Sequence, residues 1–266
     1  MDGRVKQSSE AAVLYEVVGN HIALVTINRP EARNAINPAV ASELGAILHQ
    51  IESDDSIWVV VLTGAGDRAF CAGADLKAVS EGLLDQLFTP EGGFAGFVFA
   101  PRKKLWIGAI NGFALAGGLE ISLACDLLVA SEKAVFGLPE VKRGLIALAG
   151  GVLRLPRALP RVIALEMIAS GEPIDAVRAY ELGLVNKVVP AERCVDEALA
   201  LAIKICGNAP IAVRESLYIA RQTFDLSEPE LIDLCVEAGR RIVQTQDYLE
   251  GPRAFVEKRS PRWVGE

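Results

Sequence analysis

Two β-branched runs open the readable pattern, VLYEVV (13–18) and HIALVTI (21–27), parted by Gly19-Asn20, a two-residue hairpin signal. A polar loop, NRPEARN (28–34), leads to Asn37-Pro38, a helix cap followed by proline at the first helical position. Val40, Leu44, Ile47, Leu48 and Ile51 then share one helical face. IWVVVLTG (57–64) is a continuous apolar run, the pattern of a buried parallel strand, and LWIGAI (105–110) and LLVA (127–130) read the same way. Strands alternate with helices to about residue 190, which predicts an α/β body. Beyond it the period changes. Val195, Ala198, Leu199, Ala202, Ile203 and Cys206 form one helical stripe, Val213, Leu217, Ala220 and Phe224 a second, and Leu231 to Val243 a third. A boundary therefore falls near 190–200, between a body of residues 1–195 and an all-helical region of residues 196–266. Such an appendage packs on a second copy or on its own body; the pattern leaves both open.

Composition narrows the function. Among 266 residues, 27 Lys+Arg against 34 Asp+Glu give a net charge of −7, which argues against a general grip on nucleic-acid phosphates. Hydrophobic residues at 51% with 23% charged describe a folded chain. The five cysteines show no regular spacing, so a reduced, cytoplasmic setting is expected rather than a disulfide framework. With His21 and His49 the only histidines, neither a zinc site nor a histidine-based triad is expected. MDGRVKQSSE (1–10) carries charges and no apolar core, so no secretion signal is expected. The most apolar stretch, Leu105 to Ala130, is broken by Asn111, Glu120 and Asp126 and reads as buried rather than membrane-spanning.

Four segments hold candidate chemistry. Gly64-Ala-Gly66-Asp-Arg-Ala69 matches a dinucleotide fingerprint, but no helical period follows it, so a strand-to-loop turn fits better. In Phe70-Cys-Ala-Gly-Ala-Asp-Leu-Lys77 the small residues allow close approach to the backbone, Asp75 can cap a helix, and Lys77 adds a mobile charge suited to phosphate; taken alone, an ordinary loop-to-helix turn is the better reading. In Asn111-Gly-Phe-Ala-Leu-Ala-Gly117-Gly118-Leu-Glu120 a glycine pair opens a helix over 119–125, leaving N–H groups suited to an oxygen that turns negative. Glu120 sits there among Leu119, Ile121, Leu123 and Ala124, where a carboxylate is costly to bury unless paired or protonated; a helix-dipole or arginine partner is the alternative. Glu140 follows an apolar strand and Pro139, with Lys142 and Arg143 beside it suggesting a solvated face.

In this order the segments resemble the crotonase (enoyl-CoA hydratase/isomerase) superfamily over nearly the whole chain. NRPEARNAI (28–36), AFCAGADLK (69–77), INGFALAGGLEISLACD (110–126), FGLPEVKRGL (136–145) and AFVEKR (254–259) carry the likeness. The resemblance implies a spiral of ββα units, with the helical region mediating a homotrimer, commonly paired into a hexamer. It implies an oxyanion hole from the backbone N–H groups of Ala74 and Gly117. Arg33, Ala35, Ala72, Ala74, Asp75, Leu76 and Lys77 match the lining for CoA, and Phe255 and Lys258 match tail positions that reach CoA, in some members across a subunit boundary. CoA would belong to the substrate, with no cofactor and no metal. Glu120 and Glu140 match the paired catalytic glutamates, which favours addition or removal of water, Glu140 acting as the acid at C2 and Glu120 orienting the water.

Residues 78–101 would shape the acyl pocket, with Leu83, Leu84, Leu87, Phe88, Phe94, Phe97 and Phe99 as apolar candidates and Gly92-Gly93 as a flexible break. Leu84, Phe88, Leu115 and Leu148 are the candidate pocket residues. Two departures stand out. Ala147 and Leu148 replace the usual Pro and Gly, which predicts a leucine crowding the carboxylates, and Ala116 replaces a frequent third glycine, a mild change. Rival readings are an enoyl-CoA isomerase, a CoA- or RNA-binding member without catalysis, and the nicotinamide oxidoreductase of residues 64–69.

Overall fold

The computed structural model describes residues 11–266; MDGRVKQSSE, expected to hold no secretion signal, lies outside the described residues. The hairpin forms as the pattern predicts. β1 (Val13–Val18) and β2 (Ile22–Ile27) pair antiparallel, and Gly19 takes the left-handed turn position at φ +65°. Asn37 caps α1 (Pro38–Ser53), its Oδ1 accepting the Val40 N–H at 3.0 Å, and α1 buries the predicted stripe.

The chain then uses one device three times: a long strand, a short strand and a helix. The first unit is β3 (Val59–Gly64), β4 (Ala69–Cys71) and α2 (Leu76–Ser80). A small hairpin, β5 (Phe88–Thr89) and β6 (Gly93–Phe94), precedes the second, β7 (Leu105–Ile110), β8 (Phe113–Leu115) and α3 (Gly117–Ala124). The third is β9 (Leu127–Ser131), β10 (Val135–Gly137) and α4 (Gly151–Ala158), with a 3₁₀ turn at Pro139–Arg143. α5 (Arg161–Ser170), β11 (Ile174–Asp175), α6 (Ala176–Glu181) and β12 (Lys187–Val189) finish the body. The long strands lie in a six-stranded sheet, β1-β2-β3-β7-β9-β12, and the short ones in a second, β11-β10-β8-β4. This is the ββα spiral that the sequence resemblance implied.

Because the turn after β3 runs into β4 rather than a helix, residues 64–69 lack the helix N-terminus a dinucleotide pyrophosphate needs. The Gly92-Gly93 pair sits at the β5–β6 hairpin, Gly92 in its turn and Gly93 opening β6 at φ +64°, with a Cβ on Gly92 lying 2.3 Å from the Gly96 carbonyl carbon.

Apolar contacts sort into two layers. Val60, Leu62, Trp106 and Ile110 face α1 and the short strands, while Val59, Val61, Ile107 and Val129 face Cys194, Ala198 and Ala202 of α7 (Cys194–Cys206). Burial on both faces is why the long strands read as unbroken apolar runs. α8 (Pro210–Ala220), α9 (Glu228–Ile242) and α10 (Gln246–Val256) follow, with Phe224 beyond the end of α8. Arg221 ties this region to the body through two 2.8 Å bonds to Asp126 and donations to the Arg102 and Lys104 carbonyls. Among the described residues no helix is long and apolar enough to cross a membrane.

Candidate active site

Three adjacent strands of the short sheet bring the candidate segments together. β8 pairs in parallel with β4 on one side and with β10 on the other, Leu115 lying opposite Gly137. Their C-terminal ends therefore open at one edge, delivering residues 72–75, 116–120 and 138–140 side by side. Strands in this arrangement place ligand sites at their carboxyl ends.

The first two segments meet at glycines. Gly73 is at φ +90°, and a Cβ there would lie 3.0 Å from the Gly117 nitrogen and 2.9 Å from Ala116 Cβ. A Cβ on Gly118 would lie 1.9 Å from the Cys71 carbonyl oxygen, so the start of α3 is pressed onto the strand beside it. Ala74 is held between its neighbours: Ile36 N–H donates to Gly73 at 2.8 Å and Asp75 N–H to Ile36 at 2.8 Å. The Ala74 and Gly117 N–H groups have no acceptor among the described residues. They are donors held in place, as an oxyanion hole requires.

Ala116 is more than a mild change. It adopts φ +53°, ψ −126°, a region natural to glycine, to turn β8 into α3. Ala116→Gly is expected to stabilise the protein by about 1 kcal/mol, read as a raised urea midpoint; a lowered midpoint would show that the methyl's packing on Gly73 outweighs the strain.

Glu120, on the first turn of α3, is 4% exposed. Its Oε1 accepts the Gly151 N–H at 2.9 Å. Its pKa is pushed up to about 7, chiefly by burial and in part by the Glu140 charge, while the Gly151 and Ala149 N–H groups and Arg154 oppose the rise. Glu140 is the second residue of the 3₁₀ turn after β10. Its Oε2 is buried without a hydrogen-bond partner, and burial raises its pKa too, against its own N–H and Arg143. Contacts around Gly151 draw these segments together, since a Cβ there would lie 2.8 Å from Ala147 Cβ, 3.0 Å from Leu138 Cδ1 and 3.1 Å from Glu120 Oε1. Two carboxyls raised above their usual range, one of them within the field of the other, suit proton transfer.

The early loop supports the site from behind. Ala72 N–H donates to the Arg33 carbonyl at 3.1 Å, and Asp75 caps α2 through the Lys77 N–H at 3.0 Å. Burial alone would raise the Asp75 pKa, but the Arg29 ion pair at 2.9 Å and the capping N–H groups hold it low. Arg33, Leu76 and Lys77 are exposed on one rim, and Ala35 is buried. Sequence reasoning missed Arg29 and Asn34. Asn34 is buried and left-handed at φ +56°, and its Nδ2 donates to Ala65 at 2.9 Å and Ala69 at 2.7 Å. Its signal was an asparagine, which tolerates left-handed backbone, beside a polar loop.

The remaining candidates scatter. Phe88 meets Phe94 edge to face at 5.4 Å, and Phe94 covers Gly117; Leu87 and Phe97 belong to the core. Leu84 is exposed and Leu115 half-buried. Leu148 is 59% exposed, so the leucine does not crowd the carboxylates; Ala147 is the buried neighbour of Gly151. Phe255, 85% exposed, and Lys258 make no hydrogen bond or ion pair to loops 28–36 or 69–77 of their own chain.

Comparison with known proteins agrees with this geometry. The chain is 42% identical over 247 residues to a carnitinyl-CoA dehydratase of Proteus mirabilis, covering 91% of this chain and 94% of that one. Its fold matches an enoyl-CoA hydratase of Mycobacterium tuberculosis at TM-score 0.92 and 41% identity, over 97% of this chain and 100% of that one. A carnitinyl-CoA hydratase of Mycobacterium avium is 47% identical at TM-score 0.77, over 97% of this chain and 100% of the other. The profile of the family described as enoyl-CoA hydratase/isomerase matches residues 18–266. With the ββα spiral and the motifs in register, the chain belongs to the enoyl-CoA hydratase/isomerase family.

Proposed function

We propose that the protein is a hydro-lyase of acyl-CoA thioesters, adding water reversibly to a trans-2-enoyl-CoA to give a 3-hydroxyacyl-CoA. One observation carries the reading: two carboxyls with raised pKa, buried Glu120 and half-buried Glu140 with its Oε2 shielded, at the strand edge that also bears the unpaired N–H groups of Ala74 and Gly117. The two N–H groups hold the thioester oxygen as it becomes an enolate oxygen. Glu120 orients the water and takes its proton as oxygen bonds to C3; Glu140 delivers a proton to C2. The reverse sequence removes water.

CoA enters as part of the substrate. Arg33, Ala35 and the 72–77 stretch border its path, with Arg33 and Lys77 as exposed cations for phosphate, while Asp75 serves as cap and ion-pair partner. The working assembly is a homotrimer, or a hexamer of two trimers, in the cytoplasm. Leu249, Phe255 and Val256 expose an apolar face on α10 for a second copy, which would bring Phe255 and Lys258 to a neighbouring CoA. The carnitinyl-CoA dehydratase relatives support a second reading of the acyl group, dehydration of carnitinyl-CoA.

A panel of trans-2-enoyl-CoA esters together with carnitinyl-CoA tests both readings through the conjugated-thioester absorbance. Loss of absorbance with an enoyl ester is the expected result. No turnover on any ester, in either direction, removes the assignment, and calorimetric binding of NAD without CoA would favour an oxidoreductase.

A further inference from the structure

One half-buried charge has no part in the proton transfers above. Arg154 lies one turn past the start of α4. Its Nη2 donates to the Val98 carbonyl at 2.6 Å, and its guanidinium sits 5.2 Å from the centre of the Phe99 ring. Its Nη1 is buried with no hydrogen-bond partner, and no carboxylate forms an ion pair with it among the described residues. The side chain folds back over the helix start: a Cβ on Gly150 would lie 2.4 Å from Nη1, and the next residue, Gly151, gives its N–H to Glu120. An unpaired guanidinium therefore sits behind the amide that holds the catalytic carboxyl.

Guanidinium stays charged in proteins, and burying it without a carboxylate is costly. The fields around it show where that charge acts. Glu120 faces Glu140 from the 3₁₀ turn, which opposes its ionisation, and the Gly151 and Ala149 N–H groups and Arg154, which favour it. Burial weighs most on Arg154; Arg102 and Arg157 add repulsion, while the Glu120 carboxylate favours its charge.

We propose that Arg154 is a positioning residue for Glu120: pinned by Val98 and Phe99, its unpaired guanidinium lies over the start of α4 and places its charge beside the Gly151 N–H that holds the Glu120 carboxyl. Val98 and Phe99 lie in the segment assigned to the acyl pocket, so this charge also links that segment to the catalytic carboxyl. The kinetic side of the inference rests on Glu120 being the group that takes the water proton.

An infrared pH titration tests it without turnover. The protonated-carboxyl C=O band that disappears in Glu120→Gln reports Glu120 directly. Its midpoint is expected at about 7 in the wild type and roughly one pH unit higher in Arg154→Gln and Arg154→Met, with Arg154→Lys restoring it. An unmoved midpoint overturns the proposal. In enoyl-CoA hydration the ascending limb moves the same way, costing about tenfold at pH 6 and little at pH 9; an equal loss at every pH points to packing alone and also overturns it. A moved midpoint in a protein that hydrates no enoyl ester keeps the proposal and removes the hydratase reading. Failure of both the Gln and Met variants to fold would assign Arg154 to packing and overturn it.

Discussion

Glu140→Gln is expected to lower kcat for hydration roughly 10²–10⁴-fold while leaving CoA affinity unchanged. The size follows from the position of the carboxyl. Its Oε2 is buried with no partner, and burial raises its pKa, which favours the protonated form that a general acid needs. Glutamine keeps the shape and a hydrogen-bond donor but has no transferable proton. Steady-state rates on an enoyl-CoA, with calorimetric titration of CoA as the control, check it. Full activity would take the C2 proton away from this residue. Glu120→Gln sets the contrast: hydration is lost, whereas isomerisation, which needs no water, survives wherever the wild type has it.

The second large effect belongs to a glycine. A methyl on Gly117 would lie 2.4 Å and 2.7 Å from two carbons of the Phe94 ring and 3.3 Å from Gly73 Cα. Phe94 is buried and wedged against Phe88, so the ring has little room to turn and the backbone of residue 117 must shift instead. That shift takes the N–H off the thioester oxygen. Gly117→Ala is expected to cost roughly 10²–10³ in kcat and, through overpacking, about 1–3 kcal/mol of stability. Enzyme assays and urea unfolding separate the two losses. Phe94→Leu placed in the Gly117→Ala background should recover stability more than rate. A Gly117→Ala enzyme with wild-type kcat would exclude this N–H from the oxyanion hole.

The long strands and α1 were legible because each states its burial locally. Val59–Gly64 and Leu105–Ile110 are buried on both faces and hence uniformly apolar, and Asn37-Pro38 announces the helix cap. The short strands were harder. Ala69–Cys71 and Phe113–Leu115 have three residues each, too few for a period to show. The site lies at their ends, so the motifs marked its residues while the sheet that gathers them stayed hidden. Leu148 shows the opposite limit: adjacency to the glutamates in sequence predicted crowding, yet the turn after Glu140 points it outward and buries Ala147.

By itself the amino-acid order determined the α/β body, the helical C-terminal region and the family, and marked the two glutamates as candidates, because alternation, caps and spaced motifs are local or near-local properties of a chain. Tertiary structure alone decided that the Ala74 and Gly117 N–H groups stand free at one strand edge, that Ala116 is strained, and that Arg154 folds back over the start of α4. Parallel pairing of β4, β8 and β10 brings together residues far apart in the chain, and a carboxyl's pKa depends on what surrounds it in space rather than on its neighbours in sequence.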